Sequence, residues 1–116
     1  MPKEKHSMFA RLVEILPKYE KKEELIVAAR KEILPILKKQ HGFLEFLPLI
    51  PENKIEKVLV ITLWTEKYEA EKYAREVFPR IEAILKPFLE GPIVVKMFEV
   101  ETTLCERLVE TLTAGV

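Results

Sequence analysis

The chain has 116 residues, enough for one domain with a single core, and its 19 Lys plus Arg balance 19 acidic residues to a formal charge of zero. That balance argues against a nucleic-acid binder, which would normally carry a basic face, and no apolar run approaches the roughly 18–20 residues of a membrane span. The lone Cys105 cannot form an internal disulfide, and Met1-Pro2-Lys3-Glu4-Lys5-His6 leads into no signal-peptide core, so a cytoplasmic protein that binds neither membrane nor nucleic acid is expected.

Met8 to Leu16 reads as a first strand ended by Pro17. From about Tyr19 the period changes, and Leu25, Ile26, Ala29, Ile33, Ile36 and Leu37 fall on one helical stripe. Pro35 lies inside it and predicts a kink or restart; Gly42 predicts the stop. Phe43 to Ile50 forms a second strand, placed at an edge or bulged by Pro48, which donates no ladder hydrogen bond. A short polar link, Pro51-Glu52-Asn53-Lys54, returns the chain into a third strand, about Glu56 to Trp64.

Thr65 is the expected N-cap of a second helix, with Glu66 in its first turn. Its stripe is Ala70, Tyr73, Ala74, Val77, Phe78, Ile81, Leu85 and Phe88; Pro79 should divide it and Gly91-Pro92 end it. Ile93 to Val100 is the fourth strand, and Thr103-Leu104-Cys105-Glu106 has the form of a capping box opening a tail helix with Leu104, Leu108 and Leu112. The β-α-β-β-α-β order predicts a ferredoxin-like α+β sandwich, a four-stranded antiparallel sheet with both helices on one face.

The strands are apolar on both sides. Phe9, Val13 and Ile15 oppose Met8, Ala10, Leu12 and Leu16; Leu59, Ile61 and Leu63 oppose Val58, Val60 and Trp64. Two helices cover one face of a sheet only, so the other calls for a second copy of the chain packed sheet to sheet. Of Val60 and Ile61, one faces that partner, and the pattern does not say which.

Several of these residues resemble the antibiotic-biosynthesis monooxygenase family: Gly42-Phe43 opening the second strand, Trp64 ending the third, and Glu66, Ala70 and Tyr73 after it. The divided second helix leading to Pro87-Phe88-Leu89-Glu90-Gly91-Pro92 does so too, and the likeness covers roughly Met8 to Glu101. It implies a dimeric α/β barrel, with residues 1–7 as an extension, 8–101 as the domain and 102–116 as a helical tail. It also implies cofactor-independent oxygenation of a small aromatic or phenolic substrate; the alternative is a non-catalytic dimeric module of the same fold that binds a small ligand or regulates. Haem-degrading members carry an Asn on the first strand and a His late in the second helix, and neither is present here.

The remaining inventory is narrow. There is no Asp, one Ser (Ser7), two His (His6 and His41) and three scattered glycines, which leaves no Ser-His-Asp triad, no metal-ligand cluster and no phosphate loop. Oxygenation without a cofactor asks only for a base, a cation or donor for the developing anion, and aromatic walls that exclude water. Arg11 and His41 are the candidates for catalysis; Trp64, Tyr68, Tyr73 and Phe78 are those for binding the substrate; no metal or other cofactor is expected. Arg11, alone in an apolar strand, either pairs with a glutamate such as Glu14 or Glu99 or binds an anionic oxygen. His41 is either a base or a cationic cap on the first helix. Trp64 either stacks on substrate or only satisfies its N–H, and Tyr73 and Phe78 lie on the stripe that also builds the core.

Overall fold

The structure, a computed structural model, describes residues 8–105. Strands β1 (Phe9–Ile15), β2 (Phe43–Leu49), β3 (Val58–Trp64) and β4 (Val94–Glu99) form one antiparallel sheet in the order β2-β3-β1-β4. Strands β1 and β3 take the centre, and β3 is apolar throughout except for Thr62. Pro48 lies on β2, an edge strand, as its missing donor requires, and β2 is bulged between Phe43 and Glu45.

Both crossovers are broken helices, and proline sets each break. The first runs through α1 (Lys22–Ala28), a π-helical segment (Ala29–Ile33) and α2 (Leu34–Lys38). Pro35 lacks an N–H, and its ring would collide with the carbonyl four residues back; the wider π turn ahead of it absorbs both effects. The second crossover divides at Val77 into α3 (Lys67–Glu76) and α4 (Phe78–Leu85), with Pro79 in the first turn of α4, where no amide donor is needed. A 3-10 turn, Lys86–Phe88, then leads to Leu89, which bridges to Pro17.

The register assigns each strand residue to a face. Phe9 lies opposite Trp64, Arg11 opposite Thr62, Val13 opposite Val60 and Ile15 opposite Val58, and these eight point toward the helices. The buried core draws its sheet residues from this side alone: Phe9, Val13, Ile15, Val58 and Trp64, packed on Leu25, Ile33 and Leu37 of the first crossover and Ala70, Tyr73, Phe78, Ile81 and Leu85 of the second. The opposite face carries Ala10, Leu12 and Glu14 against Leu63, Ile61 and Leu59. Ile61 is therefore on the open face, and Val60 is inside. The ferredoxin-like α+β sandwich expected from the sequence is the fold observed.

Local expectations needed correction. Ile26 is off the buried stripe at 48% exposure, because the π segment shifts the phase of every later residue relative to the first turns. The first crossover ends at Lys38, ahead of Gly42; Gly42 instead turns the chain into β2 at φ 85. A Cβ there would meet the Glu69 side chain at 2.6 Å, so glycine is required on two counts. Glu66, not Thr65, is the N-cap residue of α3, and no side chain caps it; the Thr65 amide is taken by the Gly42 carbonyl at 2.8 Å. Past β4 the chain forms a 3-10 turn, Thr102–Leu104, with the Thr103 hydroxyl donating to the Glu101 carboxylate. The rest of the expected tail helix lies outside the described residues.

Candidate functional site

The centre of the helix-facing side is a cation among aromatic rings. Arg11 projects from the middle of β1 and is 4% exposed. Its guanidinium carbon lies 4.2 Å from the Phe78 ring centre and 5.3 Å from that of Tyr73. Tyr73 stacks at 4.7 Å on Trp64, which meets Phe43 edge-on at 5.7 Å. The period-2 strand places Arg11 and Trp64 inward, and the 3.6-residue stripe brings Tyr73 and Phe78 above them. Four of the six candidate residues thus converge.

No carboxylate of the described residues lies within ion-pairing distance of Arg11. The expected pairing with Glu14 is not made, because Glu14 points to the opposite face, and Glu99 forms no ion pair with it either. The Arg11 Nε is buried without a hydrogen-bond partner among the described residues. Burial lowers the arginine pKa, opposed by Tyr73 and the negative charge of Glu82, while burial pushes the Tyr73 hydroxyl up to about 12 against the pull of Arg11. At neutral pH the site therefore holds a guanidinium and an uncharged phenol. The cation–π contacts recover part of the desolvation cost of that charge, but they do not replace a counter-ion.

Trp64 is fully buried, and its Nε1 donates to the Thr62 hydroxyl at 2.9 Å. Thr62 stands two residues earlier on the same face, a partner that strand periodicity offered and that the reading of the sequence passed over. Tyr68 lies on the outer side of α3 at 59% exposure, away from the cluster.

His41 sits outside the aromatic cluster. Its side chain is 88% exposed, and Nδ1 lies 2.9 Å from the Glu69 carboxylate of α3. With Nδ1 engaged, Nε2 is the nitrogen left for another partner. Glu69 was not anticipated, since it lies 28 residues from His41 and only the close packing of Gly42 on α3 joins them. His41, Glu69, Lys72 and Tyr73 take part in lining a pocket of about 50 Å³, room for a few water molecules. Tyr73 touches both this pocket and Arg11. Beyond it, sharing Gln40, Glu76 and Val77, opens a groove of about 430 Å³ between α2 and the α3–α4 joint.

No protein-family model and no curated protein matches the chain. Solved structures do. A candidate antibiotic biosynthesis monooxygenase from Nitrosomonas europaea superposes with a TM-score of 0.68 at 12% identity, over 86% of this chain and 96% of that one. A dimeric ferredoxin-like protein of unknown function from a Jannaschia species gives 0.65 at 20% identity, covering 80% and 99%. A mutant of MhuD with two manganese protoporphyrin IX molecules bound per active site gives 0.66 at 21%, covering 80% and 94%. The chain has the ferredoxin-like α+β fold shared by the antibiotic biosynthesis monooxygenase proteins.

Proposed function

We propose that this protein is a cofactor-independent monooxygenase of a small phenolic substrate, working as a homodimer joined through the open sheet face. One observation carries the reading. A buried guanidinium with an unpartnered Nε, set against Phe78 and Tyr73 with Trp64 behind Tyr73, is the arrangement that receives a phenolate oxygen. A structural arginine at this depth would be expected to hold a carboxylate.

The chemistry follows from these residues. His41, its Nδ1 held by Glu69 at the small pocket, takes the phenol proton on Nε2 as the substrate enters, before the phenolate oxygen reaches Arg11. Arg11 stabilises the phenolate, whose ring becomes electron-rich enough to react with O₂. One oxygen atom stays on the ring as a carbonyl and the other leaves as water; the phenol supplies all the electrons and becomes a quinone. The aromatic walls exclude bulk water while the anion exists. Tyr73, which lines the small pocket and lies beside Arg11, stands between the two.

Haem does not fit these residues. Among the described residues His41 is the one histidine, and it stands at the surface on Glu69, while Trp64, Tyr73 and Phe78 fill the space between helices and sheet. No group of three or more His, Cys or acidic side chains that could hold a metal occurs among the described residues. The dimer is supported by the apolar open face and by the chain's likeness to the dimeric ferredoxin-like protein of the Jannaschia species.

A second reading, a non-catalytic ligand-binding module, is favoured by the closed state of the Arg11 cluster, beside which lies a pocket of about 50 Å³. Oxygen uptake by metal-stripped protein with a panel of phenols and hydroquinones separates the two. The oxygenase predicts turnover that Arg11→Ala lowers about 100-fold with the dimer intact, the scale of a lost oxyanion donor. Quenching of Trp64 fluorescence without turnover selects the module. Turnover untouched by Arg11→Ala removes Arg11 from the chemistry.

A further inference from the structure

The 430 Å³ groove has a composition of its own. Its lining includes the apolar Pro35 and Ile36 on α2 and Val77 and Ile84 across the α3–α4 joint. The same lining holds three cations, Lys31, Lys39 and Arg80, none of which forms an ion pair among the described residues. Two carboxylates share the lining. Glu76 is engaged by Arg75 at 3.7 Å, so Glu32 alone is left to balance the three cations. Where exposed helical lysines do pair, the carboxylate is one turn away, as Lys67 meets Glu71 and Lys21 meets Glu24. What sets the groove apart is that three unpaired cations share one concavity. It also lies where both crossovers are interrupted, beside the restart at Pro35 and the break at Val77, so the concavity follows from the two proline-set breaks facing one another.

We infer that this groove binds a small organic carboxylate, an anion with an apolar or aromatic body. The body lies on Pro35, Ile36, Val77 and Ile84, and the carboxylate meets Arg80 and Lys39. Arg80 offers the planar fork that pairs bidentately with a carboxylate, and Lys39 a point charge. The volume is that of a site for a small molecule and not for a macromolecule. The inference does not depend on oxygen chemistry, because none of the three cations belongs to the Arg11 cluster.

Isothermal titration calorimetry with 2-naphthoate and 2-naphthamide, a pair alike in shape and different in charge, tests it on the full chain. The acid should bind about tenfold more tightly than the amide, and Arg80→Gln and Lys39→Gln should each remove most of that difference. Glu32→Gln should tighten the acid several-fold by removing the competing carboxylate. Lys67→Gln, a loss of the same charge on α3 outside the groove lining, controls for net charge and should change nothing. Equal affinity for acid and amide, no binding of the acid at millimolar concentration, or an equal loss in Lys67→Gln and Arg80→Gln would each overturn the assignment. Acid binding that persists in Arg11→Ala, with or without oxygen uptake, would keep this site and judge the oxygenase reading separately.

Discussion

Strand β1 carries two charged residues three positions apart, and the sheet treats them in opposite ways. Arg11 points to the helices, is buried under Phe78 and Tyr73, and has no carboxylate partner. Glu14 points to the open face, is half-buried, and has two partners, Lys96 at 3.1 Å and Lys57 at 3.8 Å. The residues around them differ as well. The helix side is closed by aromatic and aliphatic packing, whereas on the open side Leu63 alone among the strand residues is buried, and Leu47, Leu49 and Phe98 are exposed. In the proposed function, the charge left unpaired in a finished core serves the chemistry, and the satisfied charge lies on an apolar surface whose neighbours still lack cover.

The largest expected effect tests that division of the faces. Val60 and Ile61 are adjacent on β3, apolar and similar in size, and the register puts Val60 toward the helices and Ile61 on the open side. Val60→Lys should unfold the protein outright or lower its stability by several kcal/mol, since an unpaired ammonium would enter the core. Ile61→Lys should leave a folded chain that sediments at half the mass, because the charge then opposes only the partner's sheet. Chemical denaturation combined with sedimentation equilibrium reads both. If Ile61→Lys leaves mass and stability unchanged, the open face is not an interface.

The sequence made the fold legible because its strongest signals were periodic. The apolar runs of β1 and β3 and the stripe from Ala70 to Phe88 fixed the layers, and alternation brought Arg11, Trp64, Tyr73 and Phe78 to one side. Where periodicity failed, the reading failed with it. Ile26 was assigned to the stripe because a constant 3.6-residue period was carried across a π turn that changes the phase. The His41–Glu69 pair and the groove cations have no periodic signature. Each joins the two crossovers, and an exposed Lys or Arg on a helix reads as solvated surface until the facing helix is known.

A second effect is a change in the opposite direction. An unpaired buried charge is a net cost to the fold, and Arg11 is retained against that cost. Arg11→Met keeps the length and apolar stem of the side chain and removes the charge. It should raise stability by roughly 1–4 kcal/mol, the range seen when buried ionic groups give way to packed hydrophobes, while lowering phenol turnover about 100-fold, as Arg11→Ala does. Thermal denaturation read beside oxygen uptake checks both arms. A loss of stability would mean that the guanidinium is a structural tie, and the contrast between Arg11 and Glu14 would then be one of packing alone.

The smallest effect is the one at Glu14. Its carboxylate keeps some contact with solvent, and Lys57 and Lys96 are about half exposed, so the triad sits in a high dielectric and is screened by salt. In an isolated chain Glu14→Gln should therefore cost about 0.5 kcal/mol, and less at high ionic strength. In the proposed dimer a second sheet covers the triad, and removing the carboxylate leaves two ammonium groups under low-dielectric cover without their counter-charge. The same substitution should then weaken dimerisation by more than it destabilises the chain, and added salt should no longer hide the loss. Placing Glu14→Gln in the Ile61→Lys background separates the two contributions. In a monomer already dissociated by Ile61→Lys, only the small salt-sensitive cost should remain. A cost that is equal in both backgrounds would place Glu14 outside the buried interface and limit the partner's contact to the apolar residues around it.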